Sequence, residues 1–246
     1  MGELLAVLSG KGGTGKTSVC AGLATALARE GKQVLCIDCD VGLWNLDISL
    51  GMSDIGALSF LDVCQGHYPL EQATRHPKYP TLAFLTAPMN CAPEAIDPDA
   101  FACMLRQARK TFDYIFLDAP AGVDAGFRLT AEPADRILLV TGAGPAAIRD
   151  AARVGDLLEL MGKKEVRLIV NRVRRELLRT VRITIDDVMD TAGLPLLGVI
   201  PEDPHVTLAA SFGAPLLSHA PRCAAAKAFS RIARRMQGFH QRIALR

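Results

Sequence analysis

Short apolar runs alternate with helical patterns along nearly the whole chain. This alternation predicts an α/β fold: a single doubly wound, mostly parallel β-sheet with helices on both faces. Composition agrees, since half of the 246 residues are hydrophobic and 22% are charged, enough apolar material for a large core. No internal repeat, low-complexity tract or long linker interrupts the pattern, so a single α/β domain is expected.

In order, Leu4–Leu8 is the first strand, and a helix follows from about Lys16 to Glu30, closed by Gly31 as a C-terminal cap. Val34–Ile37 and Leu82–Thr86 are the next strands. Asp97 and Pro98 start a helix, as N-cap and first-turn residue, that runs to about Lys110. Tyr114–Leu117 and Ile137–Thr141 are strands, and a helix spans about Pro145–Met161. Val166–Val170 is a strand, a helix lies near Thr184–Thr191, and Leu196–Ile200 is the last strand. The final helix covers roughly Arg222–Gln237. The segment Gly66–Pro80, with His67, Pro69, His76, Pro77 and Pro80, reads as a surface connection with solvated histidines.

A net charge of +2 argues against a molecule that is basic all over and binds nucleic acid by charge alone. The N-terminus runs straight into a strand-like segment without a cleavage site, and no apolar run reaches membrane-spanning length. The seven cysteines form no disulfide or zinc framework. Cys36 and Cys39 make a C-x-x-C at a strand end, where their side chains should face opposite ways and serve as buried small hydrophobes. A cytosolic chain is expected.

Residues 9 to 18 read Ser-Gly-Lys-Gly-Gly-Thr-Gly-Lys-Thr-Ser, between the first strand and the first helix. Gly10, Gly15, Lys16 and Thr17 fit the phosphate-loop pattern G-x-x-x-x-G-K-[ST] in its strand–loop–helix setting. Glycines let several N–H groups point at one anion, and the helix start adds its positive end. Residues Gly10, Lys11, Gly12, Gly13, Thr14, Gly15, Lys16, Thr17 and Ser18 are therefore expected to hold a nucleotide. Lys16 should reach the β- and γ-phosphates and Thr17 a Mg²⁺ ion.

Lys11 narrows this reading. Lys-Gly-Gly-Thr-Gly-Lys-Thr resembles the deviant Walker A box of the MinD/ParA ATPases, a group of P-loop NTPases of the SIMIBI type. The resemblance implies that Lys11 reaches across an ATP-bound dimer to the partner's nucleotide; spacing alone says only that extra positive charge lies beside a phosphate.

After the second strand comes Asp38-Cys39-Asp40-Val41-Gly42-Leu43-Trp44-Asn45-Leu46-Asp47. Its three carboxylates read equally as turn chemistry or as Mg²⁺ and water placement. The stretch resembles the switch I signature D-x-D-x-G-L-x-N-L-D of the MinD branch. By that resemblance Asp40 orients the hydrolytic water, Asp38 supports the metal, and Asn45 helps form the dimer-facing nucleotide site. Trp44 departs from the arginine usual there, and suits either a partner contact or inward packing. Tyr114–Leu117 ends in Asp118-Ala119-Pro120-Ala121-Gly122, an apolar run closed by a carboxylate that holds Mg²⁺ in a Walker B arrangement. It also resembles switch II, where Gly122 lets the loop move. Asn171 matches the family's adenine-binding asparagine, and Pro201-Glu202-Asp203 resembles a segment whose backbone lies near the base. With no second metal cluster visible, ATP and Mg²⁺ are the only ligands expected. Arg149-Asp150 resembles a segment that meets partner proteins, or is a solvated charge pair.

Arg172, Arg174, Arg175, Arg179 and Arg182 face only Glu176 in their stretch, and read as a solvated face or as a nonspecific phosphate-contacting patch. No acidic residue follows Asp203. Phe229, Ile232, Met236, Phe239 and Ile243 recur at three- and four-residue steps among Lys227, Arg231, Arg234, Arg235, Arg242 and Arg246, the pattern of a basic amphipathic helix able to lie on an anionic membrane. The family resemblance makes residues 1–238 the ATPase domain, whose last helix packs on the core; residues 239–246 are a short basic tail, read either as a minimal anchor that binds membrane weakly and only when paired or as one whose membrane function is reduced or absent.

The resemblance implies a switch that dimerises on ATP, hydrolyses it, associates peripherally with the inner face of the cell membrane and positions the division septum. Its implied partners are a MinC-type inhibitor and a MinE- or DivIVA-type protein. The alternatives are a flagellar-number regulator, which often carries an extra segment before the phosphate loop, a DNA-binding ParA-type partition ATPase, and a non-hydrolysing nucleotide-bound scaffold.

Overall fold

A computed structural model describes residues 1–42, 45–89, 91 and 95–243. Trp44 and Arg246 lie outside the described residues.

In the first half of the chain, β1 (Glu3–Leu8), α1 (Lys16–Arg29) and β2 (Val34–Asp38) are followed by the short helices α2 (Leu46–Leu50) and α3 (Phe60–Cys64). Then come β3 (Thr74–Arg75), β4 (Leu82–Leu85), α4 (Pro98–Thr111) and β5 (Tyr114–Asp118). The second half holds α5 (Ala125–Ala131), β6 (Arg136–Thr141), α6 (Pro145–Leu160), β7 (Val166–Val173), α7 (Arg175–Val181) and α8 (Ile185–Ala192). It ends with β8 (Leu196–Pro201), α9 (Pro204–Ser211), α10 (Leu216–His219) and α11 (Ala224–Met236).

The eight strands form one sheet in the order β3-β4-β2-β5-β1-β6-β7-β8. Every neighbouring pair is parallel except β3 with β4. Alternate strand residues face opposite sides. Leu5, Val7, Val34, Cys36, Phe116, Leu138 and Ile169 pack with α1 and α11 on one face. Ala6, Leu8, Leu139 and Leu168 pack with α5, α6 and α8 on the other. Leu35, Ile37, Ile115 and Leu117 continue that second face under α3 and α4. Cys36 and Cys39 therefore do point to opposite faces, both buried as free thiols.

α1 and α11 cross at a glycine. A Cβ on Gly22 would lie 2.7 Å from the Phe229 ring, so only glycine lets these helices meet. Phe229, Ile232 and Met236 are buried, as expected of a core-packing last helix. Helix α11 ends at Met236, Gly238 takes φ +87°, and residues 239–243 are not helical. Phe239 and Ile243 are exposed there. Among the described residues, no helix is long and apolar enough to cross a membrane.

The segment Gly66–Pro80 differs from expectation. Thr74 and Arg75 form an antiparallel edge strand, and His76 is buried rather than solvated. Its Nδ1 accepts from the backbone N–H of Lys78 and Tyr79, so Nε2–H donates to the Leu50 carbonyl, 2.9 Å away. His67 is exposed, as expected.

A phosphate-loop site at the carboxyl ends of the central strands

β1 sits between β5 and β6, where the chain order in the sheet reverses direction; ligands of such sheets bind beyond the carboxyl ends of the strands at this point. The loop Ser9–Gly15 leaves β1 there and enters α1. Gly13 and Gly15 hold φ +81° and +82°, a left-handed backbone that suits glycine. A Cβ on Gly10 would lie 2.9 Å from that of Asp150 on α6. Asp150 thus packs behind the loop, while Arg149 is exposed.

The loop is held from β7. The Asn171 side-chain amide donates to the Thr14 carbonyl at 2.9 Å, and Arg172 donates to the Gly13 carbonyl at 2.9 Å. Arg172 takes φ +53°, an unusual backbone for arginine, at the point where its chain turns toward the loop. Sequence reading marked Arg172 only as part of a basic stretch; its role as a brace for the loop appears only in the fold. Arg174 is likewise engaged, in an ion pair with Glu202.

Beneath the loop, Lys16 is buried and its Nζ lies 2.8 Å from Asp118 Oδ1. Asp118 ends β5 and stands in register beside Asp38, the end of β2. The Thr17 hydroxyl is close enough to Asp118 to favour its carboxylate. Asp38 accepts the backbone N–H groups of Asp40 (3.0 Å) and Leu46 (3.3 Å), which ties the segment after β2 to the strand end. Asp40 is half-buried, accepts the Gly42 N–H at 3.3 Å, and acts electrostatically on both Lys16 and Asp118.

Burial, and then the Asp118 charge, pushes the Asp38 carboxyl up to about 7. Burial also raises the Asp118 pKa, outweighing Lys16. Burial opposes the Lys16 charge too, but Asp118 more than offsets it and the ammonium is held charged. Clustered buried carboxylates against a single buried lysine are a donor set for a hard divalent cation, and Thr17 adds a hydroxyl oxygen. Thr14 Oγ1 is buried and without a hydrogen-bond partner among the described residues. Orphaned buried oxygens of this kind mark places where a ligand completes the hydrogen bonding. These residues fit a Mg²⁺-bound phosphate group.

Asn171, Pro201 and Ser18 line a cleft of roughly 470 Å³ beside the loop, together with Glu202, Asp203 and Thr207. The residues expected to bind base and phosphate thus converge. Lys11 and Asn45 are exposed at the rim instead, Asn45 opening α2. One cluster was not foreseen: Asp203, His205 and Cys223 bring their ligand atoms within 4.8 Å of one another. They lie 18 residues apart in sequence between His205 and Cys223, and the fold joins them where the Ala225 N–H at the start of α11 donates to Asp203.

Residues 5–216 match the model of the CobQ/CobB/MinD/ParA nucleotide binding domain. The chain is 38% identical over 240 residues to the septum site-determining protein MinD of Synechocystis sp., covering 97% of this chain and 90% of that protein. Its structure resembles MinD in a MinC:MinD cell division protein complex from Aquifex aeolicus, with a TM-score of 0.91, 34% identity and 98% coverage of each chain. It also resembles MinD complexed with Mg-ADP from Pyrococcus horikoshii, with a TM-score of 0.83, 29% identity and 96% coverage of each chain. Loop, paired strand-end carboxylates and adjoining cleft therefore coincide with near-full-length likeness, and the chain belongs to the CobQ/CobB/MinD/ParA nucleotide-binding family, among its MinD proteins.

Proposed function

We propose that this protein is an ATP-hydrolysing switch that dimerises on ATP and helps to place the division septum. The observation that carries the reading is the convergence of Lys16, Thr17, Asp38 and Asp118 beneath a loop that also presents Lys11. The likeness to MinD proteins supports the septum role.

In this reading the backbone N–H groups of residues 10–18 hold the phosphates. Lys16 gives up part of its contact with Asp118 and turns its charge to the β- and γ-phosphate oxygens. Thr17, Asp118 and Asp38 would hold Mg²⁺, which when bound neutralises charge that develops on the phosphates. Asp40 orients the attacking water from switch I. Asn171, fixed to Thr14, and the Pro201 backbone border the adenine. Lys11, exposed at the rim, supplies its charge to the γ-phosphate bound by a second copy. Asn45 joins that facing surface. Loss of the γ-phosphate removes the shared charge and opens the pair, with Gly122 at φ +98° letting switch II relax.

Residues 1–238 act as the ATPase domain and residues 239–246 as a short membrane-contacting tail. Phe239 and Ile243 offer apolar side chains and Arg242 a positive one. A single short tail binds an anionic membrane weakly, and pairing two of them multiplies the attachment. The protein therefore moves between cytoplasm and the inner membrane face with its nucleotide state. A MinC-type inhibitor is the partner supported by the Aquifex relative, and a MinE- or DivIVA-type protein would supply spatial control. A DNA-partition role is less well supported, because Arg172 and Arg174 are committed to Gly13 and Glu202.

The test is ATP turnover and co-sedimentation with anionic liposomes. Wild type should hydrolyse ATP and pellet with ATP but not ADP. Asp40→Ala should lose turnover yet still pellet with ATP, and deletion of residues 239–246 should abolish pelleting. Equal pelleting with either nucleotide would reject the switch.

A further inference from the structure

We propose that Asp203, His205 and Cys223 form a binding site for a borderline-soft divalent transition metal, Zn²⁺ in the first place, separate from the phosphate-loop site. The three ligand atoms lie within 4.8 Å of one another and come from the turn after β8, the first turn of α9 and the start of α11. His205 Nδ1 is 2.7 Å from Asp203 Oδ1. Tetrahedral zinc bonds of about 2.0–2.3 Å place neighbouring donors roughly 3–4 Å apart, so only small side-chain rotations separate this cluster from a coordination shell.

The donor set selects the ion. One sulfur, one imidazole nitrogen and one carboxylate oxygen match Zn²⁺, with a fourth position for water, and suit Mg²⁺ poorly. A thiolate and a carboxylate balance two positive charges, so the filled site is neutral. The carboxylate is well anchored: Asp203 also accepts the backbone N–H of His205 (3.0 Å) and of Ala225 (3.1 Å). These backbone hydrogen bonds hold the carboxylate in place as a ligand. The Asp203 side chain is only 6% exposed whereas that of His205 is 49% exposed, which gives an ion a route in.

Cys223 carries a second clue. It is the N-cap of α11, with its Sγ accepting from the Ala226 N–H at 3.4 Å. Oxygen side chains are the preferred caps. A thiol here contributes little that serine would not do better as a cap, but it adds a soft metal ligand. An ion held by these residues would pin the start of α9 to the start of α11. It would brace the edge of the cleft that Asp203 shares with Asn171 and Pro201.

The experiment is a Co²⁺ titration of the tag-free full chain in excess Mg²⁺, followed by absorption. The expected result is one equivalent bound, with a near-ultraviolet thiolate-to-cobalt band and tetrahedral visible bands, both displaced by Zn²⁺. Cys223→Ser should abolish the thiolate band while leaving the circular dichroism unchanged, since serine caps the helix. His205→Ala should weaken binding by about tenfold or more. Absence of the thiolate band in wild type at stoichiometric Co²⁺, or its persistence in Cys223→Ser, would overturn the site.

Discussion

The ammonium of Lys16 lies 2.8 Å from the Asp118 carboxylate, and both groups are buried. The lysine proposed to receive phosphate is thus held by the carboxylate proposed to receive the metal. Breaking a buried pair by removing one member costs on the order of 3–5 kcal/mol, whereas replacing both by apolar groups costs far less. Lys16→Met and Asp118→Leu should each destabilise the nucleotide-free protein strongly in urea unfolding. The double variant should recover most of that loss. Additive losses would show that the two groups do not act as a pair.

Asn171 connects the cleft to the loop through the Thr14 carbonyl. Asn171→Ala removes one hydrogen bond, worth about 1 kcal/mol. ADP affinity measured by calorimetry should fall by roughly 5- to 10-fold at unchanged fold. An unchanged affinity would remove Asn171 from the site.

Gly22 sets two effects against each other. Alanine is favoured over glycine within a helix by roughly 1 kcal/mol. Its Cβ would also lie 2.7 Å from the ring of Phe229, which is itself buried against α1. Overpacking of this kind costs about 1–3 kcal/mol, so Gly22→Ala should lower the unfolding midpoint. A raised midpoint would mean that α11 rides freely on α1.

His76 makes stability depend on pH. Burial, and then the Lys78 charge, lowers its pKa from the ordinary 6.5, outweighing the hydrogen bond to the Leu50 carbonyl. Between the folded and unfolded values the unfolded chain binds more protons. The contribution is fully present above 6.5 and is lost as pH falls through the folded value. Chemical-denaturation stability should decline on acidification below about 6.5, and His76→Gln should flatten that part of the profile. An identical slope in the variant would contradict this.

The strands and long helices were legible because their apolar runs are contiguous, and the phosphate loop because its chemistry sits in ten successive residues. Asp38 and Asp118 could be anticipated since each closes an apolar run, and parallel pairing of β2 with β5 then set them side by side. Short elements gave no such signal: α2, α3 and α10 have too few residues for a period to show. The burial of His76 follows from α2, whose Leu50 carbonyl it meets, and so was invisible without that helix. Arg172 looked like surface charge because nothing in sequence links it to Gly13. The trio Asp203, His205 and Cys223 escaped for the same reason, being brought together only where the chain folds the start of α11 onto Asp203.

The role proposed for Lys11 makes the loop a dimerisation device as well as a phosphate binder. Sedimentation velocity of the hydrolysis-blocked Asp40→Ala protein, with and without Lys11→Ala, tests it most directly. With Mg²⁺ and ATP, Asp40→Ala should sediment as a dimer and with ADP as a monomer. The Lys11→Ala, Asp40→Ala protein should stay monomeric with ATP while still binding it. A dimer that forms equally well without Lys11 would contradict the account.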